Sequence, residues 1–199
     1  MNNNINQFEK VSFDQFLKDC KRLLNGISEN EIKNIYNNIK LPKRSTEHSA
    51  GYDFYSPINL TMYDRGSSFV IPTGIRAKMN DNEFLAIYPR SGLGFKHGVM
   101  LANTTGIIDA DYYDSDNEGH IMIKLVYNKP SDTDINVKVN HSGDGSVLFE
   151  VTNSICVDMK NIEIHEGDKF VQGIFIPYGK TCDDTVTSKR NGGFGSTGK

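Results

Sequence analysis

The sequence has no excess of basic residues, no long apolar run and no paired cysteine motif. Its 22 Lys and Arg residues are outnumbered by 25 Asp and Glu, which leaves no broad basic field for a nucleic-acid backbone. No segment approaches the roughly 20 apolar residues of a membrane-spanning helix, and the Asn-rich start lacks a signal-peptide core. Cys20, Cys156 and Cys182 are odd in number and form no CxxC pair. We therefore predict a cytoplasmic protein with free thiols, no membrane segment and no direct nucleic-acid partner.

Two amphipathic stretches near the N-terminus predict a pair of short helices, at about 12–25 and 29–39. Each begins with a Ser that is followed three residues later by Gln or Glu, the pattern of a capping box. The two pairs are Ser12 with Gln15 and Ser28 with Glu31. Apolar residues follow at helical spacing, and Gly26 can end the first helix. We predict that residues 1–40 form a helical extension with a frayed start at 1–7, which packs on the protein and carries no chemistry.

From residue 41 the pattern changes to short runs rich in β-branched and aromatic residues, separated by prolines and turn residues. No helical stripe is visible between 41 and 180. We predict a mainly β, jelly-roll-like barrel over residues 41–199. Residues 128–160 mix loop composition with apolar alternation, which predicts an inserted β hairpin or subdomain. Residues 181–199 lose apolar content and become glycine-rich, which predicts a flexible C-terminal arm.

The segment Gly106–Tyr112 places acidic residues directly after a short apolar run, and apolar alternation resumes at 121–125. This pattern predicts a β-hairpin with Asp109 and Tyr112 at its end. A carboxylate on a rigid strand end can aim a water molecule, which a mobile surface Asp cannot do. Taken alone, the segment also fits an ordinary hairpin with solvated acidic residues.

Two other segments carry residue types that suit phosphate and metal. After a predicted strand, Arg90 offers a fork of donors, Ser91 a hydroxyl, and Gly92 room for close backbone approach. Asp53 follows a glycine near a strand start and could hold a magnesium ion through water. Each segment alone also fits an unremarkable turn.

The C-terminal residues Gly193–Lys199 match the letters of a phosphate-binding P-loop, G-x-x-x-x-G-K. That motif requires a preceding strand, a following Ser or Thr and a helix, and none of these is present in the sequence. A glycine-rich tail can instead fold over a bound nucleotide, with backbone N–H groups facing phosphate and Phe194 stacking on the base.

Five segments in one fixed order resemble the motifs of the trimeric dUTPase family (dUTP nucleotidohydrolases). The resemblance covers residues 41–199 apart from the 128–160 insertion, and no single motif carries it. It implies hydrolysis of dUTP to dUMP and pyrophosphate, Mg²⁺ as cofactor, and a homotrimer whose active sites are shared between subunits. The five segments are Ala50–Asp53, Pro89–Leu93, Gly106–Tyr112, Gly167–Gln172 and Gly192–Gly198.

The resemblance also implies roles for individual residues. Asp109 would orient and deprotonate the attacking water, and the Tyr112 ring would pack under the deoxyribose and exclude a 2′-hydroxyl. Asp53 would anchor the hydrated magnesium, and the backbone of residues 103–109 would pair with the uracil edge. The remaining implied contacts are Arg90, Ser91, Gly92 and Gln172 at the phosphates, Asn103, Gly106 and Ile108 at the base, Phe194 over uracil, and Arg190, Gly195, Ser196 and Thr197 in the tail.

The sequence departs from the family pattern at two points. The terminal motif is one residue short before its glycines, so either Lys189 or Arg190 takes the place of the phosphate-contacting cation. After Tyr112 the turn is longer and begins Tyr113-Asp114-Ser115.

Two other functions fit parts of the sequence. The related dCTP deaminase shares the fold but needs a glutamate where Lys124 stands, and a lysine cannot do that proton transfer. A dUTPase-like regulator would instead bind a protein partner through the 128–160 insertion, and such binding can accompany catalysis.

Overall fold

The computed structural model describes residues 5–63, 67–127 and 161–188 in full, and residues 133–141 and 147–155 as backbone strands. Within these ranges the chain is mainly β, as predicted. The strands are β1 (Gln7–Lys10), β2 (Lys43–Arg44), β3 (Tyr52–Tyr55), β4 (Leu60–Met62), β5 (Ser68–Pro72), β6 (Ile75–Lys78), β7 (Glu83–Pro89), β8 (Val99–Leu101), β9 (Gly106–Asp109), β10 (Met122–Tyr127), β11 (Thr133–His141), β12 (Val147–Ile155), β13 (Ile162–Ile164) and β14 (Lys169–Pro177). The helices are α1 (Phe13–Leu23), α2 (Glu29–Asn38), α3 (Ser91–His97) and a 3-10 helix, Ala110–Asp114.

The largest sheet has five strands in the order β2-β3-β14-β7-β9, with every neighbouring pair antiparallel. A three-stranded sheet has the order β5-β10-β8. The remaining described strands pair as β1 with β6, β4 with β13, and β11 with β12. Several small antiparallel sheets around one core are typical of the predicted jelly-roll-like architecture.

The two N-terminal helices lie within two residues of their predicted ends. Helix α2 has the complete predicted capping box, because the Ser28 N–H donates to the Glu31 carboxylate at 2.8 Å and the Glu31 N–H donates back to Ser28 Oγ at 3.3 Å. In α1 the predicted box is only half formed. The Gln15 N–H donates to Ser12 Oγ at 3.1 Å, but the Gln15 side chain donates to Asp19 at 2.6 Å instead of turning back.

One hydrophobic core joins these helices to the sheets, so the helical extension is part of the packed domain. Its fully buried members include Phe16, Cys20 and Ile32 from the helices and Ile71, Leu85, Ile87, Leu125 and Phe170 from the strands. Burial raises the pKa of the Cys20 thiol to about 12, which keeps it protonated. Cys20 and exposed Cys182 are both free, as predicted. Cys156 lies outside the described residues.

The predicted hairpin between Gly106–Tyr112 and 121–125 is wrong. Strand β9 pairs with β7, while β10 joins a different sheet between β5 and β8. Between β9 and β10 the chain forms the 3-10 helix and a turn. Asp109 therefore ends a strand of the large sheet and begins the 3-10 helix.

Two further predictions need correction. Residues 41–180 do contain a helix, α3, which begins after Arg90 and ends at Gly98 in the left-handed region with φ 66°. Residue 7, predicted to be frayed, begins β1, which pairs with β6 over four residue pairs. Residues 1–4 lie outside the described part of the chain.

The inserted hairpin has the predicted strands: β11 and β12 pair antiparallel over nine residue pairs. Residues 181–188 are exposed and contain neither helix nor strand. Among the helices that the structure describes, none combines the length and apolar character required to cross a bilayer.

Candidate active site

A buried carboxylate, Asp53, lies at the centre of a charged cluster at one end of the large sheet. Asp53 on β3 is opposite Gln172 on β14, which is in turn opposite Tyr88 on β7. Lys169 begins β14, and Arg90 directly follows β7. Because the three strands are neighbours in the sheet, their side chains at this end converge.

The Asp53 carboxylate has three donors around it. Arg90 Nη1 donates to Oδ1, Lys169 Nζ lies 3.0 Å from Oδ2, and Ser45 Oγ also donates to Oδ2. Only 3% of Asp53 is exposed. Burial raises the pKa of Asp53, but the hydrogen bonds from Ser45, Arg90 and Lys169 outweigh burial and hold it below its usual range. The carboxylate is therefore charged and fixes both cations in place.

Two cations facing one carboxylate give this cluster a net positive charge, which suits an anion such as phosphate. Both carboxylate oxygens of Asp53 accept from cations in this structure, and the predicted anchoring of a hydrated magnesium there stays a prediction. In the described ranges, no group of three or more His, Cys, Asp or Glu side chains could hold a metal ion. These side chains suit a ligand that brings its own metal, and not a metal held by the chain alone.

Residues of two predicted motifs are in close contact beside the cluster. A Cβ added at Gly51 would lie 2.4 Å from Oε1 of Gln172, so only glycine leaves space for that amide. On the other side, Ser91 and Gly92 are exposed in the first turn of α3, where backbone N–H groups have no intrahelical acceptor. Arg90, Ser91 and Gly92 follow the end of β7, and Gln172 lies on the neighbouring strand β14 opposite Tyr88; their contacts with phosphate stay a prediction.

Asp109 is positioned by its place between two elements. It is opposite Phe84 at the end of β9 and is the N-cap of the 3-10 helix, with φ −77° and ψ 156°. The side chain is partly exposed. At the start of β9, a Cβ on Gly106 would lie 3.1 Å from the Cβ of Ile87, so a side chain there would push β9 away from β7. Asn103 is exposed in the turn before β9, and Ile108 is partly buried.

Tyr112 points into the protein, with only 3% of the residue exposed. Its hydroxyl donates to the His120 carbonyl at 3.0 Å and accepts from Asn117 Nδ2 at 2.7 Å. These bonds fix the 3-10 helix against the turn that follows it. The implied packing of the ring under a sugar stays a prediction.

Asp109 and the Arg90 cluster lie at opposite ends of the same strand. Asp109 is opposite Phe84 near the start of β7, whereas Arg90 follows Pro89 at its end. The six residue steps from Phe84 to Arg90 correspond to about 20 Å of extended strand. One chain therefore does not bring Asp109 and Arg90 to the same phosphorus atom.

Sequence reasoning missed Ser45 and Lys169 as partners of Asp53. Lys169 could have been found, because it is the third residue of the Gly167–Gln172 motif; Ser45 carried no signal. The tail residues predicted to contact substrate lie outside the described ranges. They are Phe194, Gly195, Ser196, Thr197 and the alternatives Lys189 and Arg190.

The fold and the site together define a mainly β protein with a cationic cluster whose charge suits a phosphorylated ligand. A family model described as dUTPase matches residues 37–142. The chain is 36% identical over 173 residues to the deoxyuridine 5'-triphosphate nucleotidohydrolase of Lactococcus lactis, covering 84% of this chain and 95% of that relative. It is 31% identical to the Pasteurella multocida protein of the same name, over 80% of this chain and 87% of the other. The chain belongs to the dUTPase family.

Solved structures share the fold. The dUTPase from Streptococcus mutans superposes with a TM-score of 0.52 at 25% identity, covering 87% of this chain and 97% of the other. The dUTPase of phage phi11 of S. aureus, whose structure shows a species-specific insert, superposes with a TM-score of 0.55 at 19% identity over 93% and 97% of the two chains.

Proposed function

We propose that this protein hydrolyses dUTP to dUMP and pyrophosphate, as a homotrimer whose active sites combine residues from different subunits. Membership of the dUTPase family supports the reaction. The observation that carries the shared site is the separation of Asp109 from Arg90 along β7. The free thiols of Cys20 and Cys182 suit action in the cytoplasm.

Exposed apolar residues beside both halves of the site support assembly. Phe95 on α3 is 93% exposed, five residues after Arg90, and Ile107 on β9 is 60% exposed, two residues before Asp109. A subunit packed over these two side chains would remove their apolar surface from water, which favours association. A second subunit packed there would bring its own Asp109 or Arg90 to complete the site.

In the proposed reaction, Asp109 holds a water molecule and takes its proton. The water oxygen forms a bond to the α-phosphorus, and the bond from that phosphorus to the bridging oxygen breaks. Pyrophosphate leaves with the negative charge, and Arg90 and Lys169 of another subunit stabilise it. Magnesium would enter as the complex of the nucleotide. A structural Mg(II) ion is named for the phage phi11 dUTPase, but the described residues here supply no such site by themselves.

Selectivity would come from the segment before Asp109. The backbone of residues 103–109 would pair with the uracil edge, and the amino group of cytosine would present a donor where uracil has an acceptor. Tyr112 would exclude a 2′-hydroxyl. Lys124 is exposed on β10 at the position where a deaminase would need an acid, which argues against deamination of dCTP.

A nucleotide panel tests this proposal. We expect pyrophosphate release from dUTP with magnesium and far slower release from dCTP, dTTP and UTP. The cytosine edge mismatches the backbone of residues 103–109, the 5-methyl group of dTTP would clash with the base pocket, and UTP carries the 2′-hydroxyl that the sugar pocket excludes. Comparable rates for dCTP and dUTP would contradict the proposal. Formation of dUTP or dUMP from dCTP would show that the protein is a deaminase.

We also propose that the 128–160 insertion binds a regulatory protein. Among the elements that the structure describes, β11 and β12 pair with each other and with no other strand. They therefore contribute no sheet contacts to the site. The dUTPases of Staphylococcus bacteriophage 80alpha are described as controlling transfer of virulence genes, which shows that a member of this fold can have a second role.

Deleting residues 130–156 should leave dUTP hydrolysis near the parent rate. The expected reason is that the hairpin packs on itself and lies outside both halves of the site. The measurement is kcat, with sedimentation to confirm the trimer. A parent protein with an exposed-loop change in residues 181–188 serves as a handling control. Loss of the trimer in the deletion variant would show that the insertion is structural instead.

A further inference from the structure

The segment that carries Asp109 is held at three points by the N-terminal extension. We define the clamp as residues 7–24, which include β1 and α1, and the catalytic segment as residues 106–120. The three contacts are Glu9 with Tyr113, Ser12 with Glu118, and Asp19 with His120.

Glu118 completes the N-terminal cap of α1 from 106 residues away in sequence. The Ser12 N–H donates to Glu118 Oε2 at 2.7 Å, and Ser12 Oγ donates to Oε1 at 2.6 Å. This is the half of the capping box that Gln15 leaves unfilled. Glu118 has an uncommon backbone conformation, with φ 57°. A non-glycine residue keeps such a conformation only when its surroundings hold it there.

The turn held by this contact packs directly against the backbone around Tyr112. Gly119 has φ 68°, and a Cβ there would lie 2.8 Å from both the Tyr112 carbonyl and the Tyr113 Cα. Movement of Glu118 or Gly119 is therefore passed to the 3-10 helix, and Asp109 is the N-cap of that helix.

His120 links α1 to Tyr112 in the core. It is fully buried; its Nε2 accepts from the Gly74 N–H at 2.8 Å, so its proton lies on Nδ1 and is donated to Asp19 Oδ2 at 2.8 Å. The His120 carbonyl accepts from the Tyr112 hydroxyl. Burial raises the pKa of Asp19, but hydrogen bonds from His120 and Gln15 outweigh it and hold the pKa below its usual range. The carboxylate stays charged and keeps the imidazole oriented.

The third contact fixes the residue after Tyr112. The Tyr113 hydroxyl donates to Glu9 Oε2 at 2.7 Å, and Arg76 donates to the same oxygen at 2.7 Å while its guanidinium lies 4.3 Å from the Tyr113 ring centroid. Strand β1 is thereby joined to the 3-10 helix through one charged oxygen.

We propose that the clamp positions Asp109 for attack, with Ser12, Glu118 and His120 as positioning residues. This role rests on the proposed function of Asp109 and goes beyond the expectation that the helical extension only packs on the protein. The clamp acts through backbone geometry and touches no substrate atom. Its removal should therefore lower turnover more than substrate binding.

Helix α2 offers a matched control, because Ser28 caps it with Glu31 in the same way that Ser12 caps α1 with Glu118. Both serines are exposed and both helices are of similar length. We expect Ser12→Ala and Ser28→Ala to lower the melting temperature similarly. Only Ser12→Ala should lower kcat, by about tenfold, with KM changed less than about twofold.

A conservative variant separates positioning from general destabilisation. Glu118→Gln keeps one acceptor for the Ser12 N–H and a donor for Ser12 Oγ, so it should keep most of the activity. Glu118→Ala loses both bonds and should behave like Ser12→Ala. In the Ser12→Ala protein, amide hydrogen exchange in residues 110–120 should be faster, and in Ser28→Ala it should match the parent.

Equal kcat in Ser12→Ala and Ser28→Ala would contradict the proposal that the clamp positions Asp109. Equal exchange of residues 110–120 in the two variants would also contradict it. Amide hydrogen exchange is measured without catalysis. It therefore tests whether Ser12 holds residues 110–120 in place even if Asp109 proves not to be the base. An active Asp109→Asn variant would contradict the proposed mechanism. Faster exchange confined to Ser12→Ala would still show that the clamp holds the catalytic segment in place.

Discussion

Asp109→Asn should lower kcat for dUTP by about 10²- to 10⁴-fold, the usual contribution of a general base. Asparagine keeps the size and the N-cap geometry of the strand end, but it cannot accept a proton from water. Binding of a non-hydrolysable dUTP analogue should change little, because the proposed mechanism assigns the phosphate contacts to Arg90 and Lys169 and not to Asp109. The measurement is pyrophosphate release under saturating dUTP, together with analogue affinity.

The neighbouring acid provides a control for this prediction. Asp111 lies two residues later in the 3-10 helix and is exposed. Asp111→Asn makes the same chemical change beside the site and should keep a kcat close to the parent. If Asp109→Asn also turns over dUTP at the parent rate, Asp109 is not the base.

Arg90→Met should lower kcat/KM by about 10²-fold, which corresponds to about 2.7 kcal/mol of lost transition-state stabilisation. The reason is the loss of a charge-assisted donor where the leaving pyrophosphate gains charge. Lys169 and Ser45 still face Asp53 in this variant, so the fold should survive. Thermal unfolding checks the fold, and initial rates at low dUTP give kcat/KM.

Arg90→Lys separates charge from geometry at the same position. It keeps the positive charge but loses the planar fork that can hold Asp53 and a phosphate together. We expect activity between those of the parent and Arg90→Met. Arg44→Met, on the exposed edge strand β2, is a control that removes an arginine outside the Asp53 cluster. A parental kcat/KM in Arg90→Met would remove Arg90 from the site.

Local sequence patterns predicted the elements of this fold better than their partners. The Ser28 box and the helical spacing placed α2 closely, because every interaction involved lies within a few residues. The alternation that identified β9 and β10 as strands held no information about pairing. Their partners, β7 for one and β5 and β8 for the other, are set by contacts distant in sequence.

Helix α3 shows the limit of intrinsic propensity. Gly92 and Gly94 make Ser91–His97 a poor helix by composition, and no apolar stripe marks it. The fold nevertheless forms it between the end of β7 at Pro89 and the left-handed turn at Gly98. The tertiary context therefore outweighed the local preference.

The site was predictable where motifs carry it and unpredictable where the tertiary structure supplies partners. The segments of Arg90 and Gln172 lie at the same end of the neighbouring strands β7 and β14, and Asp109 is on a strand end. Local spacing does not show that Asp53 forms ion pairs with Arg90 and Lys169. Nor does it show that Glu118 completes the cap of α1 at Ser12, 106 residues earlier in the sequence. The positions of Asp109 and Arg90 at opposite ends of β7 follow from the pairing of β9 with β7, which local spacing does not encode.

The most direct test of the shared site is to mix two inactive variants in one trimer. Asp109→Asn and Arg90→Met chains, carrying different affinity tags, are expressed together, and trimers with both tags are purified. If each site takes Asp109 from one chain and Arg90 from the next, every trimer that carries both tags has both residues intact at one of its three sites, about a third of all sites. We predict dUTP hydrolysis near that fraction of the parent rate. Activity no higher than that of either variant alone would contradict the shared site.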